Sequence, residues 1–244
     1  MSEPFQWQAC LADVTYPRNG ETALSYIHDV VEPSLLALER QISALRERQD
    51  DPAAIFGIEP VEELLRATLL GYCLSLQALW EKQLRGYLRE CAHQLGRDSV
   101  FGKRIDDANW PKLNQLFFDL RGVHLTEFVD EYKDLDLLQL LANVCRHGDG
   151  GSLDRLVADY PELWPRDQYV PPPALYAEPA RTAANLEISL SLLRSLAHSI
   201  ASFWSEIEYI YNESIRSKHP SLVKTLAKER QNRAGRGRRW DVPA

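Results

Sequence analysis

The sequence predicts an all-α protein: an antiparallel helical bundle with two long helices, short helices and a Pro-rich surface loop. Three observations predict it. Apolar residues recur at three- and four-residue steps over two long stretches, no stretch alternates as a strand would, and Pro or Gly punctuates the chain where those stretches end.

The elements follow in order. Residues 1–21 contain Pro4, Pro17 and Gly20 and hold no period, so they read as an irregular leader that packs through Phe5, Trp7 and Tyr16. From Thr22 to Gln49 the series Leu24, Ile27, Val31, Leu35, Leu38, Ile42 and Leu45 marks a helix, with Pro33 kinking or splitting it. A long helix runs from Val61 to Leu95, with Pro60 in its first turn and Gly96 at its end. Gly71 and Gly86 each cost about 1 kcal/mol inside a helix, which predicts close approach of a neighbour at both. Asn109 caps a short helix with Pro111 in its first turn, and Asp134 caps the apolar helix that follows. Ser152 caps another short helix that Pro161 stops. The proline-rich segment from Tyr160 to Pro179 is a strap that lies on the bundle through Leu163, Trp164, Tyr169 and Tyr176. The second long helix, from about Leu186 to Ile215, ends before Pro220, and a basic helix or tail closes the chain. The division expected is a leader at 1–21, a bundle domain at 22–217 and a basic C-terminal segment at 218–244.

At 244 residues the chain can bury a substantial core, and its 45% hydrophobic and 26% charged residues exclude a disordered protein. No apolar run is long enough for a membrane span and the start lacks a secretory pattern, so a cytoplasmic protein is expected. Cys10, Cys73, Cys91 and Cys145 stand at no metal-knuckle spacing, and Cys73 and Cys91, among leucines in a helical pattern, read as small buried hydrophobes; no metal or cofactor is expected. The net charge of −7 excludes a surface basic throughout, but Lys224 to Arg239 alone carries +6, leaving −13 on the rest. Within it Arg233, Arg236, Arg238 and Arg239 are candidate RNA contacts, and a solvated arm is the alternative.

Chemistry is suggested at one place, Asn143-Val144-Cys145-Arg146-His147-Gly148-Asp149-Gly150-Gly151-Ser152. Asn143 and His147 lie four residues apart and share a helix face. Every residue type here also suits a helix end: Gly148 as a left-handed cap, and Arg146 and His147 beside the negative end of the helix dipole.

The order of elements resembles the HEPN superfamily: a long helix with an aromatic midpoint, a Trp-led short helix, an apolar helix ending Asn-x-x-Arg-His-Gly, and a long helix containing Phe203-Trp204. The resemblance covers about Thr22 to Ser217. It implies a homodimer in which two motif helices build one composite site. Active members are metal-independent ribonucleases of toxin–antitoxin, phage-defence and related systems, with an antitoxin or another operon-encoded protein as partner. Their signature is an Arg, four to six further residues and a His, often with a polar residue after the Arg. By that resemblance His147 is the signature histidine, acting as acid or base on a ribose 2′-hydroxyl. Asn143 is the orienting polar residue, and Arg146 is a candidate phosphate contact. The arginine itself would stand at Ala142 and is absent. Three readings therefore stay open: a ribonuclease with a degenerate motif, a non-catalytic module that binds RNA, a nucleotide or a protein, and a structural module in which the cluster only ends a helix.

Overall fold

The computed structural model describes residues 5–48, 50–164 and 181–242, and among them every regular element is helical. In chain order they are α1 (Ala12–Thr15), a 3₁₀ turn (Tyr16–Arg18), α2 (Asn19–Ser25), a π-helical stretch (Tyr26–Val31), α3 (Glu32–Arg46) and α4 (Pro52–Gln94). There follow α5 (Ser99–Asp106), α6 (Trp110–Arg121), a 3₁₀ turn (Leu125–Glu127), α7 (Val129–His147), α8 (Gly151–Asp159), α9 (Leu190–Ser214) and α10 (Pro220–Arg233), with further 3₁₀ turns at Pro161–Leu163 and Ala183–Asn185. Among the described residues no helix is long and apolar enough to cross a membrane.

Local chemistry explains most boundaries. Pro33 has no N–H to donate, and the turn before it widens to π register, where the Glu32 N–H reaches the Ile27 carbonyl. Helix α4 begins at Pro52 rather than near Val61. The Asp51 carboxylate accepts the Ala53 N–H at 2.9 Å, and Pro52 suits the first position. Pro60 lies inside the helix, where it deprives the Phe56 carbonyl of its partner. Phe56 is 80% exposed, so this turn of the helix faces solvent. The Asn109 cap of α6 is as expected, its side chain accepting the Lys112 N–H at 3.2 Å, and Gly122 closes the helix at φ +68°.

Helix α7 starts before the expected cap. The Glu127 carboxylate accepts the His124 N–H at 2.8 Å, and the Phe128 carbonyl accepts the Tyr132 N–H at 2.7 Å. That turn nucleates the helix at Val129, so Asp134 lies inside it and accepts the Ser199 hydroxyl. Similarly, Gly150 precedes α8 and Ser152 sits in its first turn. Gly148, at φ +71°, ends α7 as a left-handed cap, its N–H donating to the Val144 carbonyl at 2.8 Å.

The chain divides into two compact units. The first comprises Met1–Leu24, Leu79–Leu135 and Ala197–Ala244. Its core is aromatic: Trp80 meets Phe203 at 4.9 Å between ring centroids, Phe203 meets Phe128 at 4.9 Å, and Phe128 meets Trp240 at 4.7 Å. Such edge-on and tilted pairs add about 0.5–1.5 kcal/mol each beyond their buried area. Trp80, Phe203 and Trp204 are core residues, no more than 1% exposed. The leader is only partly irregular. Residues 5–10 carry no helix, but Trp7, Cys10, Ala12 and Asp13 are buried, and Tyr16 packs against Tyr87 and Trp204. A Cβ at Gly86 would stand 2.7 Å from the Tyr16 hydroxyl, and one at Gly20 would stand 2.9 Å from the Ala201 Cα. The close approach expected at Gly71 is not there, since nothing lies within 4 Å of its Cβ position.

The second unit comprises Ser25–Ala78 and Asp136–Leu196. Ile27, Val31, Leu35, Ile42, Leu76, Leu138, Leu141, Leu156 and Leu193 are buried in it at helical spacing. Leu163 and Trp164 are buried too, and the Trp164 indole N–H donates to the Thr182 carbonyl at 2.9 Å. The rest of the expected proline-rich strap, with Tyr169 and Tyr176, lies outside the described residues.

Candidate functional site

The 143–152 cluster lies in the second unit, and its polar groups form one directed chain of hydrogen bonds. The Arg146 guanidinium donates to the Gln77 carbonyl oxygen. The Gln77 amide N–H donates to Gln139 at 3.0 Å, Gln139 to Asn143 at 3.1 Å, and Asn143 to the Ser152 hydroxyl at 3.3 Å. Each amide in this chain uses its oxygen as acceptor and its nitrogen as donor. Gln77 is 1% exposed, so burying it demands such partners. The chain ties α4, α7 and α8 together, which is a fold-holding task for Asn143 and Arg146.

His147 is exposed at the end of α7 and, among the described residues, makes no hydrogen bond or ion pair. Ala142, which stands where the resemblance expects arginine, is 0% exposed. A side chain there points into the core, and a guanidinium would meet packed apolar groups rather than substrate. Asp149 accepts the Ala183 N–H at 2.9 Å and so helps anchor the segment before α9. The sequence thus located the helix end correctly. It gave no sign of Gln77, 69 positions before Arg146, because a glutamine in an amphipathic helix reads as surface.

Cys145 shares this corner. The Cys73 thiol is its hydrogen-bond partner, which lowers the Cys145 pKa; burial opposes that and the Arg146 charge assists it. The same bond, together with burial, pushes the Cys73 thiol well up. Cys73 is 0% exposed, as its place among leucines predicts, whereas Cys145 is half-buried.

The basic C-terminal segment is folded into the first unit. Arg233 donates to both Glu206 oxygens at 2.6 Å and lies 3.8 Å over the Tyr209 ring. Arg236 reaches Glu206 at 3.2 Å, and Arg238 contacts Asp130, Glu131 and Glu206 at 3.0–3.1 Å. Trp240 donates to Glu206 at 2.9 Å. Arg233 and Arg238 are therefore corrected from candidate RNA contacts to internal counter-ions, with side chains 9% and 4% exposed. Arg236 is half-exposed on the edge of the same cluster. Arg239 keeps an exposed face, though it donates to the Gly122 carbonyl at 3.2 Å and lies over the Phe5 ring.

Two surface grooves accompany these sites, and neither is lined by Asn143, Arg146 or His147. In the second unit a groove of about 440 Å³ is lined by Glu39, Arg46, Glu62, Arg66 and the apolar Ile42 and Leu69, among others. In the first unit one of about 420 Å³ lies between α5 and α6, with Lys103, Arg104 and Lys112 around an apolar floor of Val100, Ala108 and Leu116 and a single acid, Asp107. Comparison with protein-family models, with curated proteins and with solved structures finds no match for this chain.

Proposed function

We propose that this chain is a non-catalytic, HEPN-like helical module that binds RNA in the cytoplasm. The observation that carries the reading is the hydrogen-bond chain from Arg146 to Ser152, which engages Asn143 and one guanidinium nitrogen of the exposed Arg146 in tying helices together. With Ala142 in the core, a catalytic guanidinium has no route into the site from its own helix. His147 alone supplies an imidazole but nothing to stabilise charge developing on a phosphate. Homodimerisation and a protein partner such as an antitoxin enter this reading through the resemblance alone.

The α5–α6 groove is the surface best suited to the ligand. Lys103, Arg104 and Lys112 line it with one acid, Asp107, and Arg104 is also ion-paired with Asp119 at 3.7 Å. Phosphate contacts of this kind bring salt-dependent affinity without sequence preference. Lys103→Glu with Lys112→Glu should weaken binding of a fluorescent single-stranded RNA on the order of tenfold and reduce the log–log salt slope by about 1.4. His147→Ala should leave the affinity within about twofold of the wild type. Equal binding by the charge-reversed variant would remove the groove from this account.

A further inference from the structure

In the first unit, Cys10 Sγ lies 2.9 Å from Cys91 Sγ, and both residues are buried. Cys10 belongs to the non-helical segment 5–10, and Cys91 to the last turns of α4. Around them stands an unusual concentration of charge. Asp13 and Arg121, both with fully buried side chains, form an ion pair in which one guanidinium nitrogen donates to both carboxylate oxygens, at 2.8 and 2.9 Å. Arg121 also lies 3.8 Å from Cys10 Sγ and 4.0 Å over the Trp7 ring.

Cys10, Asp13 and Cys91 could in principle hold a metal, since their ligand atoms lie within 4.8 Å of one another. The partners of Asp13 argue otherwise. Its two oxygens already accept from Arg121, from the Tyr87 hydroxyl at 2.8 Å and from the Cys10 N–H at 2.9 Å. A divalent ion there would also face the Arg121 cation at close range.

We propose that Cys10 and Cys91 form an internal dithiol–disulfide redox site, oxidised by low-molecular-weight disulfides, that locks the N-terminal segment onto α4. Cys10 is the attacking sulfur, because it is 8% exposed while Cys91 is 0% exposed. The Cys91 thiol bonded to it and the nearby Arg121 both lower its pKa, against the opposing effects of burial and Asp13. Cys91 is pushed up by the same bond and by burial, which keeps it a thiol until the first exchange has removed that partner.

The chemistry balances in two exchanges. The Cys10 thiolate attacks one sulfur of the small disulfide RSSR, forms a mixed disulfide and releases RS⁻, which takes up the proton that Cys10 lost. Cys91 then gives its proton to solvent and attacks the Cys10 sulfur, closing the protein disulfide and expelling the second RS⁻, which solvent reprotonates. Two protein thiols are oxidised and one RSSR is reduced to two RSH. Access for RSSR comes from lifting residues 5–10, which carry no helix; the lift releases the Trp7 N–H from Ser214, the Gln8 carbonyl from Arg121 and the Cys10 N–H from Asp13. The link joins residues 81 positions apart, so it constrains a long loop of the unfolded chain.

The test is peptide mapping of the full-length protein after incubation with oxidised glutathione, with alkylation of the remaining thiols. The expected result is a linked peptide pair containing Cys10 and Cys91, a melting temperature raised by roughly 5–15 °C, and reversal of both by reduced glutathione. Cys91→Ser should instead trap one glutathione on Cys10. The proposal is overturned if both thiols stay alkylatable in the wild type, or if they link to other cysteines. It is equally overturned if purified protein retains stoichiometric zinc that blocks both thiols. Should Cys91→Ser fail to fold, the wild-type map decides alone.

Discussion

Glu206→Gln should lower the stability of the protein by about 3–5 kcal/mol and release its C-terminal segment. Glu206 is 1% exposed, accepts hydrogen bonds from Arg233, Arg236 and Trp240, and is ion-paired with Arg238. Glutamine keeps the shape but removes the charge and converts one acceptor into a donor aimed at guanidinium groups. Arg238 keeps Asp130 and Glu131. Arg233 keeps the Tyr209 ring and, at 3.9 Å, Asp241, but loses the carboxylate that meets it at 2.6 Å, which leaves a buried cation weakly compensated. Trp240, 1% exposed against Phe128, should then become accessible, giving a red-shifted fluorescence component before global unfolding. Urea denaturation measures the loss, and a change below about 1 kcal/mol would show that the arginines find other partners at little cost.

Arg121→Met should be comparably severe, at about 3–5 kcal/mol, because it strands the Asp13 carboxylate in the core. The Tyr87 hydroxyl and the Cys10 N–H would remain as its hydrogen-bond donors, but no cation would. The packing of the guanidinium on the Trp7 ring would be lost as well. The paired change Asp13→Leu with Arg121→Met removes both charges, and most of the stability should return, since a buried ion pair is often no better than apolar side chains of similar volume. A double variant no more stable than Arg121→Met would mean that the pair itself, rather than the uncompensated charge, holds the N-terminal segment in place. Urea midpoints of the two variants and the wild type supply the comparison.

What the sequence made legible was local. The Asn109 cap with Pro111 marked the start of α6, Gly148 ended α7, and the apolar spacing from Leu193 to Ile210 marked α9. Each of these is decided within a few residues of itself. Where several local signals competed, the nearest did not always win. Asp134 has the chemistry of a cap, yet the turn held by Glu127 starts the helix at Val129, ahead of it. Pro60 resembles a first-turn proline, yet Asp51 and Pro52 provide the start.

Long-range polar pairing was not legible at all. Arg233 and Arg238 read as a solvated basic arm because their acceptors lie 27 to 108 positions away. Gln77 and Gln139 are 62 positions apart, and neither departs from ordinary amphipathic composition. The cysteines illustrate the same limit: spacing excluded a zinc knuckle but could not reveal that Cys10 meets Cys91. Periodicity reports which face of a helix is buried and says nothing about which partner lies across from it. At the 143–152 cluster the residue types fitted both a helix end and a degenerate ribonuclease motif, and the hydrogen-bond partners of Asn143 and Arg146 could not be read from the sequence.

The central claim is that this helix end holds the fold and performs no chemistry. Purified protein incubated with total RNA in EDTA, beside a His147→Ala variant, tests it most directly. The account predicts that intact RNA is recovered with both proteins, and that both melt within about 1 °C of each other, as expected for an exposed residue outside any network. RNA cleavage by the wild type that disappears with His147→Ala would contradict the account and establish a metal-independent ribonuclease at this site.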